Sequence, residues 1–232
     1  MDASKQEKRD KSQTLEEKLN TLRAGVLGSN DGILTVVGVL FSVAVATTNN
    51  FTIFIAGLSD LLACAFSMAS GEYASVSTQK DTEKSVVSTE KQLLETHFDQ
   101  QVQTVADYYM DQGVTKETSL KIAKDLMAKA PLKTIIDVKY NLKIGHYMNP
   151  WNAAFSSLFS AAAGGLFPLV AMTLSPELIK WPATILAVCL SVAITGFLSA
   201  KLGNGLVKTA MIRNVIVGII TMIIHYSIGI LL

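Results

Sequence analysis

Residues 51–76 read FTIFIAGLSDLLACAFSMASGEYASV, an apolar run with two acids, Asp60 and Glu72, set inside it and no Lys or Arg. A helix that crosses a bilayer takes about 20 mostly apolar residues, and this stretch supplies them. An ionisable side chain at membrane depth costs at least about 2.5–3.5 kcal/mol and is a functional hypothesis by default. The run therefore sets the fold class and says where to look for function.

Working outward, four more stretches qualify as spans: Ala24–Ala46, Trp151–Leu174, Pro182–Ala200 and Ile212–Leu232. The first is interrupted by Ser29-Asn30-Asp31 and has the weakest hydropathy. Half of the 232 residues are apolar and only 17% are charged, against about a quarter in an average globular domain. Of the 20 basic residues, six lie in 1–23 and ten in 77–148; of the 19 acids, five and ten lie there. Two stretches, 24–76 and 149–232, are nearly charge-free. This excludes a disordered chain, a nucleic-acid binder and an ordinary cytosolic fold. Cys64 and Cys189 both fall in apolar runs, too few and too far apart for a disulfide framework or a cysteine zinc site. The polar, acidic amino terminus has no apolar core of a signal peptide.

The expected fold is an all-α membrane protein with five transmembrane helices and a cytoplasmic helical insert between helices 2 and 3. Its parts are a cytoplasmic segment 1–23, helices 1 and 2 in 24–76, the insert 77–148, and helices 3–5 in 149–232. The uncharged turn Thr47-Thr48-Asn49-Asn50 predicts a tight hairpin of spans one and two. Lys18 and Arg23, the insert, and Lys201, Lys208 and Arg213 flank one side of the membrane, while the other side has only Lys180. The positive-inside rule then puts the amino terminus in the cytoplasm and the carboxyl terminus outside. Pro168 is expected to kink the third span. In the insert, Leu94, Phe98, Val102, Val105 and Tyr109 recur at helical spacing and predict one helix ended by Gly113. A second is expected over about 116–129, stopped by Pro131, and a short third over 134–142. The ten bases and ten acids of the insert cancel, as on a solvated surface.

Three acids remain for the membrane, with no base to balance them: Asp31, Asp60 and Glu72. At a rise of about 1.5 Å per residue, Asp31 and Met68 both lie about 12 Å in from the cytoplasmic end, Glu72 about 6 Å and Asp60 about 24 Å. Asp60, Cys64, Met68 and Glu72 step by four residues and form a slowly winding stripe. Hard oxygens with one thioether suit a divalent cation, the Met moving preference towards softer first-row ions. The same carboxylates can carry protons when no metal is there. The candidate metal residues are thus Asp31, Asp60, Met68 and Glu72, with Glu90 and Glu95 of the insert as weaker ones. Cys64 reads as a packing residue. His225, about 18 Å into span five, is the one membrane histidine.

The stretches LRAGVLGSNDGILTVVGV, GLSDLLACAFSMASGEYASVSTQKDTE, PWNAAFSSLFSAAAGGLFPL and RNVIVGIITMIIHYSIGILL resemble the vacuolar iron transporter family, in wording most of all its bacterial and nodulin-like branch. They cover all five spans in order. The resemblance implies a homodimer that exports Fe²⁺, and often Mn²⁺, from the cytoplasm in exchange for protons along a path between first and second spans. It implies that Asp31 and Met68 are transport residues and that Asp60 fills a position where the family has Glu. Iron-storing members hold metal in the insert through Glu-x-x-Glu pairs. Here Glu90 is kept, but Leu93, Gln101 and Thr104 stand at the paired places, and a Met-Met-x-x-Glu reads Ile135-Ile136-x-x-Lys139. The insert is then expected to stabilise a dimer or collect metal loosely.

No enzyme is expected. A protease dyad needs two aspartates about 3 Å apart, and Asp31 and Asp60 sit at different depths. The alternative of another class is a non-transporting scaffold with a partner-binding insert. The expected partners are divalent metal ions, protons, the lipid bilayer and a second copy of the chain; nucleic acid is not one, and no permanently bound cofactor is expected. The host membrane is expected to be a bacterial cell membrane, or a vacuolar membrane if the source is eukaryotic.

Overall fold

The computed structural model describes residues 15–145 and 147–231, with side chains from Glu17 onward. Most of the segment 1–23, together with His146 and Leu232, lies outside the described residues. Eight helices follow one another among them: α1 (Leu15–Ala46), α2 (Asn50–Thr96), α3 (Phe98–Asp111), α4 (Lys116–Lys129), α5 (Pro131–Tyr140), α6 (Pro150–Leu174), α7 (Lys180–Leu202) and α8 (Val207–Leu231). Five of these, α1, α2, α6, α7 and α8, are long and apolar enough to cross a membrane. The five-span, all-α reading with a helical insert between the second and third spans is borne out. The chain divides into two compact units, one of residues up to Ser75 with those from Asn149, the other Val76–Met148.

In the first unit α1 is the central helix. Its Ile33, Val36, Val37, Leu40 and Phe41 are buried among Leu169 and Met172 of α6, Val188 and Val192 of α7 and Met222 of α8. Residues 32–46 of α1 carry no charge, which allows this, since a helix surrounded by others has no face for a polar stripe. Small residues set the α1–α6 distance. A Cβ on Gly164 would run into the Ser29 carbonyl, and one on Gly32 into the backbone of Ala161. Without a hydrophobic drive between helices in lipid, such close backbone contact is a main source of cohesion. Helix starts follow local chemistry. The Asn49 side chain accepts from the backbone N–H of Phe51 and Thr52 at 3.0 and 3.1 Å, and Asn149 accepts from Trp151 N–H, with Pro150 in the first turn. The third span runs on through Pro168.

The second span packs against α1 and α6. The turn Thr47–Asn49 is as short as expected, and the hairpin closes at Gly57 of α2, where a Cβ would run into Leu40 of α1 and Leu169 of α6. Ile53 and Leu61 of α2 join the same core, and Leu61 reaches Gly165.

The insert differs from expectation at its first helix. The second span does not stop at Val76 but continues as one helix to Thr96, and the break comes at His97. No Gly or Pro marks that break; the Thr96 hydroxyl donates to the Gln92 carbonyl and lies 2.7 Å from His97 Nδ1. Leu94, Val102, Val105 and Tyr109 still share one core with Ala106, Ala123, Met127, Ile135 and Ile136. Pro131 ends one helix and opens the next, and Gly113 and Asn141 take the left-handed conformations that terminate α3 and α5. Glu90 is 1% exposed within this unit. Lys139 Nζ donates to both its oxygens at 3.0 and 3.1 Å, and the Tyr140 hydroxyl donates to Oε1 at 2.8 Å. The bond to Glu90, then burial, then the carboxylate's charge, raise Tyr140 above the usual tyrosine range. That contribution is intact up to the ordinary tyrosine pKa and is lost as pH rises through the higher folded value.

Two outcomes follow from this packing. Gly164→Ala forces α1 and α6 apart and lowers stability by about 1–3 kcal/mol, read as a lower melting temperature in detergent; an unchanged melt contradicts the close contact. Lys139→Met leaves Glu90 buried without a counter-charge. The insert loses about 2–3 kcal/mol, short of the fully buried figure because Lys139 keeps some contact with water. Faster hydrogen exchange around Glu90 and across α5 checks this, and unchanged protection contradicts it.

Candidate cation pathway

The first two spans carry the three carboxylates of the apolar stretches, Asp31, Asp60 and Glu72. On α1, Asp31 and Thr35 are four residues apart and so share a face. On α2, Asp60, Cys64, Met68 and Glu72 form the four-residue ladder. The structure lays one set against the other. Thr35 faces both Asp60 and Cys64, and Asp31 lies within electrostatic reach of Cys64. Asp31, Asp60, Cys64 and Met68 are all half-buried. Asp60 Oδ2 is buried and has no hydrogen-bond partner among the described residues. A carboxylate oxygen left open in this way is suited to a cation. Among the described residues no three His, Cys, Asp or Glu side chains converge into a closed metal cage.

Glu72 requires a correction. It was expected to lack a counter-charge, but Arg23 Nη2 lies 3.1 Å from its Oε2 and 3.4 Å from its Oε1. Arg23 precedes the apolar run and so counted as a cytoplasmic flank. The first helix begins at Leu15, and its extra turns set the guanidinium beside α2. Lys180, the first residue of α7, is buried and paired with Glu177.

The insert acids are not gathered. Glu90 is held by Lys139 and Tyr140, whereas Glu95, Asp99, Asp107 and Asp111 are exposed. His225 has a defined seat on α1. The Ser42 hydroxyl donates to the His225 carbonyl at 3.0 Å and lies 3.4 Å from Nδ1. The ring lies directly on Gly38 and within electrostatic reach of Asp60. Thr35, Ser42 and Arg23 are the polar partners that reading acids alone overlooks, and Cys64 stands on the polar stripe rather than in packing. The Asp31/Thr35 spacing, matched to Asp60/Cys64 on an antiparallel neighbour, was the available signal.

The exposed side of α2 is divided. At about 100° per residue, Thr52, Ser59, Ala63, Ser67, Ser70 and Ala74 line up beside the acidic ladder, and all six are exposed. Ile55, Leu62, Phe66 and Tyr73, also exposed, form a bulkier strip further round.

Comparison with known proteins identifies the family. The sequence model of the VIT family matches residues 22–230. A vacuolar iron transporter of Acanthamoeba castellanii is 31% identical over 213 residues, covering 90% of this chain and 78% of the relative. The vacuolar iron transporter homolog 2 of Oryza sativa subsp. japonica is 28% identical over 212 residues, covering 89% and 88%. Homolog 3 of Arabidopsis thaliana is 27% identical over 207 residues, covering 89% and 80%. With the family matched across all five spans, this multi-pass membrane protein belongs to the VIT family, a family of transporters and not of enzymes.

Proposed function

We propose that the protein exports Fe²⁺, and also Mn²⁺, from the cytoplasm in exchange for protons, as a homodimer whose ion path follows α1 and α2. The observation that carries this reading is the half-buried ladder with the unpartnered Asp60 Oδ2. Glu72 is the cytoplasmic entrance, Asp31 and Met68 the principal site, and Asp60 an upper relay. Carboxylates supply charge for the ion, and the Met68 thioether favours softer first-row ions over Mg²⁺ and Ca²⁺. On the return half of the cycle the same carboxylates take up protons, since a dry site favours their neutral form. The names of the relatives support iron as cargo. The flanking charges favour an orientation with the amino terminus in the cytoplasm, in a cell membrane or a vacuolar membrane.

The dimer reading rests on two features of α2: its ladder forms no closed metal cage among the described residues, and small exposed residues adjoin it. Small residues let membrane helices approach closely. A second copy seated on the Ser59/Ala63/Ser67 strip brings a second set of ligands to the ion, and the Leu62/Phe66 strip meets lipid.

In inside-out vesicles, Asp31→Ala is expected to slow Fe²⁺ uptake by at least about tenfold, since even outer-shell groups of metal sites count for about 10–100-fold. Uptake at the parent rate removes Asp31 from the site. For the dimer, Ala63→Cys in a Cys64→Ser background should cross-link to twice the chain mass in membranes, and Leu62→Cys should not. The reverse pattern contradicts the assigned face.

A further inference from the structure

Glu72 is 7% exposed and its partner Arg23 is 56% exposed. That asymmetry sets this ion pair apart. A buried carboxylate left without a cation, a donor or a proton is strongly unfavourable. The guanidinium is under no such constraint. A single nitrogen, Nη2, makes both contacts to Glu72 and also reaches Asn20 Oδ1 at 3.2 Å. This is not the two-nitrogen fork that makes Arg–carboxylate pairs strong. Arg23 also borders a cavity of about 460 Å³ whose wall includes Asn30, Ser199 and Asn214. Their side-chain oxygens can accept a guanidinium that swings away from Glu72. Arg213 on the same wall repels it, so the displaced position is not a resting one.

We propose that Arg23 is a tethered cation that occupies Glu72 until a divalent ion displaces it, and so sets the affinity and charge selectivity of the cytoplasmic entrance. The proposal rests on the reading of Glu72 as that entrance. An incoming 2+ ion attracts the carboxylate about twice as strongly as a single charge at equal distance. It can therefore win the site from Arg23 where Na⁺ or K⁺ cannot. Between transport cycles the guanidinium occupies Glu72 and closes it to monovalent ions. A pair that merely braced α1 against α2 would affect folding and turnover, not apparent affinity.

The test is Fe²⁺ uptake, under reducing conditions, into proteoliposomes holding the full chain. Arg23→Gln is expected to lower KM by about fivefold at unchanged maximal rate, the size of a partly exposed ion pair removed from competition. Arg23→Lys keeps a tethered positive charge and the parent KM. In a Glu72→Gln background, Arg23→Gln has no further effect on KM. Asn20→Ala, which removes only the contact orienting the guanidinium, shifts KM the same way by less, and tests the idea should Arg23→Gln not fold. An unchanged or raised KM in Arg23→Gln, or in Asn20→Ala if that alone folds, overturns the proposal. If Glu72→Gln transports as the parent does while the parent transports Fe²⁺, the reading of Glu72 as entrance fails instead.

Discussion

A carboxylate out of reach of water has to be met by a cation, a hydrogen-bond donor or a proton, and each buried acid of this protein is met differently. Glu90 has two permanent partners within its own unit, Lys139 and Tyr140. Glu72 has one, Arg23, whose charge stays half in water. Asp60 is faced by Thr35 but keeps one buried oxygen open. The order from closed to open runs from the insert into the membrane. It separates Glu90, closed by its partners, from the span acids, of which Asp60 keeps an oxygen open; among the described residues neither set forms a closed metal cage.

Packing supports the same division. Glycines let α1 and α6 close on each other backbone to backbone, and α7 and α8 complete a frame around α1. α2 joins that frame through Ile53, Gly57 and Leu61, and its half-buried ladder stands between that face and the exposed strip of Ser59, Ala63 and Ser67. The helix that bears the ladder is also the one that continues to Thr96.

Much of this was legible in sequence because bilayer thickness imposes span length and hydropathy directly. The five spans, the place of the insert and the four-residue ladder follow from such one-dimensional rules. What escaped was pairing across helices. Arg23 stands before the apolar run, so a count of charges within spans omits it, although α1 starts at Leu15 and carries it to Glu72. Thr35 is neither charged nor rare in membrane helices, and its meaning lies only in facing Asp60 and Cys64. The break at His97 has no Gly or Pro to announce it. Lys139, by contrast, was visible as a departure from the Glu expected there, but only the fold reveals that its ammonium reaches Glu90.

The account stands on the claim that the ion is held between the first two spans. Anomalous diffraction from crystals of the full-length protein soaked in Mn²⁺ or Fe²⁺ tests it most directly. The predicted result is a metal peak on the ladder, within coordination distance of Asp31 or Asp60 and near Met68. Peaks confined to the acids of the insert, with the ladder empty in the same crystals, would contradict it.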